Sequence, residues 1–159
     1  MPSPLRWYAL SAAVIALDYA TKLAVLRAFA PGESVAIVPF FNMVLVFNTG
    51  AAFSFLAGAQ GWQTLFFAAI AIVASVVIVF LINRNRGKNL LCGGLALILG
   101  GALGNLHDRL VYGKVVDFLD FHAAGWHWPA FNVADSAISV GAVILIIESF
   151  LHRDSDKAS

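Results

Sequence analysis

Four long apolar stretches divide the chain, at 7–29, 62–82, 90–111 and 133–150. A helix needs roughly 20 mostly apolar residues to cross the hydrocarbon of a bilayer, and each stretch is about that long. The pattern therefore predicts four spanning helices. The second stretch carries no charge. The first holds Asp18 and Lys22, the third ends in Asn105, His107, Asp108 and Arg109, and the fourth has Asp135 at its start and Glu148 near its finish. Residues 34–60 are also uncharged, but Pro39, Asn42, Asn48, Thr49 and Gly50 interrupt them, and Val and Phe are frequent. That composition predicts short strands and turns, not a fifth span.

Charge at the ends of the stretches gives an orientation. Arg84, Arg86 and Lys88 separate the second and third stretches, and Arg6 precedes the first. The positive-inside rule puts both groups in the cytoplasm. Two spans between them satisfy the rule; three would not. Both termini are then cytoplasmic, and 34–61 and 112–132 lie outside. Residues 7–17 have the length of a signal-peptide core, but apolar character resumes after Asp18 and Lys22 as far as Phe29. An uncleaved first span is the better reading. The polar tail 152–159 is expected to fray.

Composition agrees with a bilayer as solvent. Of 159 residues, 60% are hydrophobic and 12% charged, where a soluble domain carries about 25% charged residues. Mean hydropathy is +0.84. The expectation is one membrane-embedded domain, 1–159. A net charge of +1 gives no footprint for nucleic acid. Cys92 is the single cysteine, so no intramolecular disulfide forms; a small buried apolar role suits it.

Charged and amide residues near hydrocarbon carry the candidate chemistry. Asp18 and Lys22 stand four apart with the acid first, the favourable order for a helical pair. Such a pair eases insertion of the span, and it can also support a site. Gly93, Gly100 and Gly104 form one line on the third stretch and Gly94 and Gly101 a second; small residues let helices approach in lipid. Asn105, Asp108 and Arg109 share a helical face. Arg109 can hold carboxylates or lipid phosphate, or it can snorkel outward paired with Asp108. Asn132 precedes Asp135 by three, close to a capping box at a helix start. Capping alone accounts for Asp135, but not for the acidic cluster on the preceding segment. There Asp117 and Asp120 stand three apart, on one face if helical and on opposite faces if extended. Spacing does not choose between the two.

Other chemistry is poorly supported. No H-E-x-x-H, Walker or G-x-G-x-x-G pattern occurs. A Ser–Lys dyad on Lys22 would lie mid-span. His107, His122 and His127 lack metal-ligand spacing, and HAAGWHW reads as an interfacial aromatic belt.

DYATK at 18–22, FNTGAAFSFL at 47–56, GGALGNLHDR at 100–109, VVDFLDF at 115–121 and FNVADSAI at 131–138 occur in this order. Together they closely resemble lipoprotein signal peptidase, the bacterial signal peptidase II. The resemblance implies an all-α integral membrane protein with four transmembrane helices, a small extracytoplasmic β-cradle at 34–61 and a second extracytoplasmic loop over the site. It implies an aspartic endopeptidase of the bacterial inner membrane that cuts prolipoproteins immediately before a diacylglyceryl-modified cysteine. By the family's motifs the catalytic pair falls on Asp117 and Asp135. Supporting residues fall on Asp18, Lys22, Asn48, Gly101, Asn105, Arg109, Asn132 and Ala134. No cofactor or metal is implied. The partners are lipidated prolipoproteins and membrane lipids, and the expected state is a monomer.

Two other classes fit fewer features. A proton relay would use Asp18, Lys22, Asp108 and Asp135, but it needs a polar path that the second and fourth stretches are too apolar to supply. A scaffold would use the glycines and leave both aspartates without a task.

Overall fold

The computed structural model describes residues 3–50 and 62–157, with side chains described as far as Leu151. The last part of the strand-like stretch, 51–61, lies outside the described residues, as does the second half of FNTGAAFSFL. The four apolar stretches form helices α1 (Leu5–Ala28), α2 (Trp62–Arg84), α3 (Asn89–Tyr112) and α4 (Val133–Lys157). Each is long and apolar enough to cross a membrane. Helix α4 runs on into the polar tail as far as Lys157.

Helix α3 is the central post. In its membrane window 61% of residues are buried, against 17–22% in the other three helices, so the others face outward over most of their surface. Lipid tails are as apolar as Leu, so burial of apolar area does not drive this packing; close backbone approach does. The two glycine lines serve two partners. A Cβ on Gly100 would lie 2.8 Å from the Ser11 carbonyl oxygen of α1, and one on Gly94 would lie 2.9 Å from the Gly141 carbonyl oxygen of α4. At the far end, Ile78 and Ile82 of α2 pack with Leu95, Ala96 and Leu99 of α3.

This contact gives a direct test. A Cβ on Gly141 would sit 2.6 Å from the Gly94 carbonyl oxygen, and backbone cannot move aside cheaply. Gly141→Ala is expected to lose about 1–3 kcal/mol of stability, read as a lowered melting temperature in detergent. Gly87→Ala, where a Cβ meets nothing within 4 Å, should leave the melting temperature unchanged.

The segments between helices form an antiparallel sheet in the order β1-β2-β3-β4. Strands β1 (Ser34–Val38) and β2 (Phe41–Asn48) come from the α1–α2 connection. Strands β3 (Val115–Ala123) and β4 (Trp126–His127) come from the α3–α4 connection. The second outer segment therefore builds half of the sheet. Gly113 caps α3 in the left-handed region, at φ 71°, a conformation that costs glycine little, and the chain turns there into β3. Val25 of α1, Leu45 of β2, and Val116 and Phe118 of β3 pack together and tie the sheet to the bundle.

One irregularity sets which side chains face the bundle. Asn42 pairs with Asp120 and Met43 with Leu119, but Val46 pairs with Asp117, so β2 carries an extra residue between Met43 and Val46. Directly paired residues share a face. Asn42 and Asn48 are six apart and would share a face on a regular strand. The bulge turns them to opposite faces, Asn42 with Asp120 and Asn48 with Asp117.

Candidate active site

Asp117 and Asp120 lie on a strand, which resolves the ambiguity of their spacing: they point to opposite faces. Asp117 is 2% exposed. Each of its oxygens accepts an amide hydrogen bond, Oδ2 from Asn48 Nδ2 at 3.0 Å and Oδ1 from Asn132 Nδ2 at 2.8 Å. Asp135 is half-buried in the first turn of α4.

Asn132 joins the two acids. Its Nδ2 reaches Asp117, and its Oδ1 accepts from the Asp135 backbone N–H at 2.9 Å. Asp135 Oδ2 in return accepts from the Asn132 N–H at 3.2 Å. This is the reciprocal capping box, with Asn in place of Ser or Thr. Asp135 Oδ1 accepts from Asn105 Nδ2 at 2.7 Å. Asn105 Oδ1 accepts from Asn132 Nδ2 at 3.1 Å and from Lys22 Nζ at 3.1 Å. Burial first, and the neighbouring Asp135 charge second, push the Asp117 carboxyl up to about 7, against the amide hydrogen bonds from Asn48 and Asn132.

Beneath the acids lies a buried ion triad. Lys22 Nζ is 2.7 Å from Asp18 Oδ2 and 2.8 Å from Asp108 Oδ2. Each acid of the triad also holds the backbone of another element. Asp18 Oδ1 accepts from the Ala134 N–H at 2.9 Å, beside Asp135. Asp108 Oδ2 accepts from the Val116 N–H at 3.1 Å, beside Asp117. Lys22 is thus the middle of a tie between the start of α4 and β3. Gly101 belongs to the same joint, because a Cβ there would collide with the Ala134 carbonyl.

Of the two readings of Arg109, the pairing with Asp108 does not form. Neighbouring helical residues do not face each other, and Asp108 turns inward to Lys22. Arg109 donates from a terminal nitrogen to the Asn105 carbonyl at 3.2 Å. It lies within electrostatic reach of Asp135, Asp117 and Asp108. Asp108 is the supporting residue that the motifs did not single out. The shared face of Asn105 and Asp108 was the available signal; their common partner Lys22, on another helix, was not visible in it.

The histidines stand apart from the two acids, although His107 Nδ1 comes within 3.5 Å of Asp108 Oδ1 at the rim of the triad. His107 packs its ring edge-on against Tyr19. His122 and His127 stack at 4.8 Å on the sheet face away from Asp117. There His127 Nδ1 is 2.9 Å from Asp120 Oδ1, and Asn42 Nδ2 donates to Asp120 Oδ2 at 2.8 Å. Desolvation acts to raise the Asp120 carboxyl, but hydrogen bonds from His127 and Asn42 outweigh it, and the net shift is downward. Among the described residues no three His, Cys, Asp or Glu side chains group as metal ligands.

The structure thus brings Asp117, Asp135, Asp18, Lys22, Asn48, Gly101, Asn105, Asn132 and Ala134 into one connected network, with Arg109 at its edge. The family model described as signal peptidase (SPase) II matches residues 10–151. A lipoprotein signal peptidase of Ralstonia nicotianae is 60% identical over 142 residues, covering 89% of this chain and 82% of that protein. One of Janthinobacterium sp. is 53% identical over 146 residues, covering 92% and 88%. A bacterial membrane enzyme solved by the in meso method at 2.3 Å superposes with a TM-score of 0.83 at 30% identity, covering 96% of this chain and 91% of that one. With the family's region running from within α1 to the last described side chain of α4, this multi-pass membrane protein belongs to the signal peptidase II family of peptidases.

Proposed function

We propose that this chain is an aspartic endopeptidase of the bacterial inner membrane that removes the signal peptide from prolipoproteins immediately before the diacylglyceryl-modified cysteine. The observation that carries the reading is the bridge through Asn132 between Asp117 and Asp135, with the Asp117 carboxyl raised to about 7. Two neighbouring carboxylates that share one proton are the working state of an aspartic dyad.

In this reading the shared proton starts on Asp117, and Asp135 acts as the base at the start of α4, where the helix dipole favours negative charge. Asp135 takes a proton from a water between the acids. The water oxygen adds to the scissile carbonyl carbon as Asp117 donates its proton to the carbonyl oxygen. The gem-diol then collapses: one of its hydroxyls returns a proton to Asp117 as the carbonyl re-forms, and the amine leaves with the proton that Asp135 took up. Asn48, Asn105 and Asn132 orient the carboxyl oxygens, while Asp18, Lys22, Gly101 and Ala134 fix the start of α4. Arg109 supplies a positive field.

Arg84 ends α2 and Arg86 and Lys88 follow it, at the end of the bundle opposite the sheet, and Arg6 bonds Asn89 near the same end. Positive residues on the cytoplasmic side put the sheet and both acids outside the membrane's inner face. There the signal helix and the acyl chains can stay in lipid, each buried methylene contributing about 0.8 kcal/mol. The reading takes the enzyme to act as a monomer. No nucleic acid or cofactor enters the reading.

The test is cleavage of a synthetic prolipoprotein with and without the diacylglyceryl group. The expected result is a single cut before the cysteine, at least about tenfold faster for the lipidated peptide, given several buried methylenes. Equal rates, or a cut elsewhere, would refute the assignment.

A further inference from the structure

Helix α2 contributes no titratable side chain between Trp62 and Ile82, yet one of its rings borders the site. Phe67 is half-buried in the second turn of α2. The Arg109 guanidinium carbon stands 5.3 Å from its ring centroid, within the roughly 6 Å over which a cation is drawn to an aromatic face. Another part of the same ring presses on Gly50, where a Cβ would lie 2.5 Å from Cε2 and 2.6 Å from Cδ2. Gly50 has φ +97°, and its N–H donates to Asn48 Oδ1 at 2.8 Å. The other end of the Asn48 amide holds Asp117. A continuous path therefore runs from Asp117 through Asn48, Gly50 and Phe67 to Arg109. Phe66, edge-on to Phe67 at 5.5 Å, and the packing of Ala68 against Leu106 of α3 fix where the ring sits.

Arg109 has no carboxylate within 4 Å among the described residues, although Asp135 and Asp117 act on it electrostatically. A guanidinium in direct contact with either acid would strip the proton that the pair must share. We propose that Phe67 is a positioning residue that holds Arg109 at a distance, so that its field reaches both acids while neither is paired. The proposal rests on the reading of Asp117 and Asp135 as the reacting groups.

Phe67→Leu keeps an apolar side chain and removes the π face. Released from the ring, the guanidinium swings to a carboxylate. An opposite charge within about 4–6 Å lowers a carboxyl pKa by roughly 1–3 units. The expected result for Phe67→Leu is a pH profile of kcat/KM displaced toward acid by about one unit, with kcat down roughly tenfold at neutral pH and KM little changed. Phe67→Tyr and Phe67→Trp keep the face and should keep the wild-type profile. In an Arg109→Gln background, Phe67→Leu should add no further displacement and no further loss. A profile that stays in place or moves toward alkali would overturn the proposal, and so would a loss in the Arg109→Gln background as large as in wild type. Asp135→Asn, assayed alongside, separates the two levels. If it cleaves at the wild-type rate, the acid-pair reading fails; if it is inactive while Phe67→Leu behaves additively, only the role of Phe67 fails.

Discussion

Asp117→Asn and Asp135→Asn are each expected to lower the cleavage rate by at least about 10³-fold while the protein stays folded, since a positioned acid or base contributes roughly 10²–10⁴-fold and each acid serves in both proton transfers. The assay is single-turnover cleavage of lipidated peptide. Either variant cleaving at the wild-type rate would remove the basis of the mechanism. Asp117→Asn should also show an opposite effect on stability. The folded-state value of about 7 lies above the ordinary 3.8. The carboxyl therefore stabilises the fold fully below about pH 4, and that contribution is lost as pH rises through about 7. Asparagine has no such loss. Between pH 5 and pH 8 the stability difference should move by about 2–3 kcal/mol in favour of the variant. Its amide must also face the donors of Asn48 and Asn132, which lowers its stability at every pH without altering the slope. Melting temperatures of both proteins across that range check the sign; a difference that does not change with pH would contradict the raised value.

Lys22→Met is expected to give the largest loss of stability. It leaves Asp18 and Asp108 buried with no counter-ion, and breaking a buried ion pair from one side costs about 3–5 kcal/mol. For a chain of this size that corresponds to a melting temperature lower by roughly 6–20 °C. Activity should fall as well, because the start of α4 and β3 lose their common tie. The triple variant Lys22→Met, Asp18→Asn, Asp108→Asn should recover most of the stability. Its amide oxygens can still accept from the Ala134 and Val116 N–H groups, and no unpaired charge remains. If the single variant melts with wild type, the triad is not what holds these elements together.

Much of the fold was legible because its signals are local. Length and apolar run gave four helices, and the glycine lines at 93, 100 and 104 and at 94 and 101 marked the faces that meet α1 and α4. The strand character of 34–48 was legible from its Pro, Asn and β-branched residues. What escaped depends on partners distant in the chain. Asp117 and Asp120 fitted a helix or a strand equally well until β2, some seventy residues earlier, supplied their pairing. Pairing of Asp108 with its sequence neighbour Arg109 stayed open as one of two readings, but a helix directs adjacent residues about 100° apart, and Lys22 reaches Asp108 from α1. The capping signal around Asn132 and Asp135 was readable. The third task of Asn132, reaching back to Asp117, was not, because it needs the end of β3 folded beside the helix start.

The extra residue between Met43 and Val46 makes the two ends of β2 unequal in their tolerance of length change. Lengthening the turn at Pro39 and Phe40 would leave Asn48 where it is. Removing one residue from the bulge would restore a regular pleat with Asn42 and Asn48 five positions apart, still on opposite faces, so Asn48 would stay opposite Val115 and keep its amide on Asp117. A chain shortened at that one position would keep both donors, whereas loss of Phe47 with the bulge kept would set Asn48 opposite Val116, on the rear of the sheet, and leave the carboxyl pair miswired.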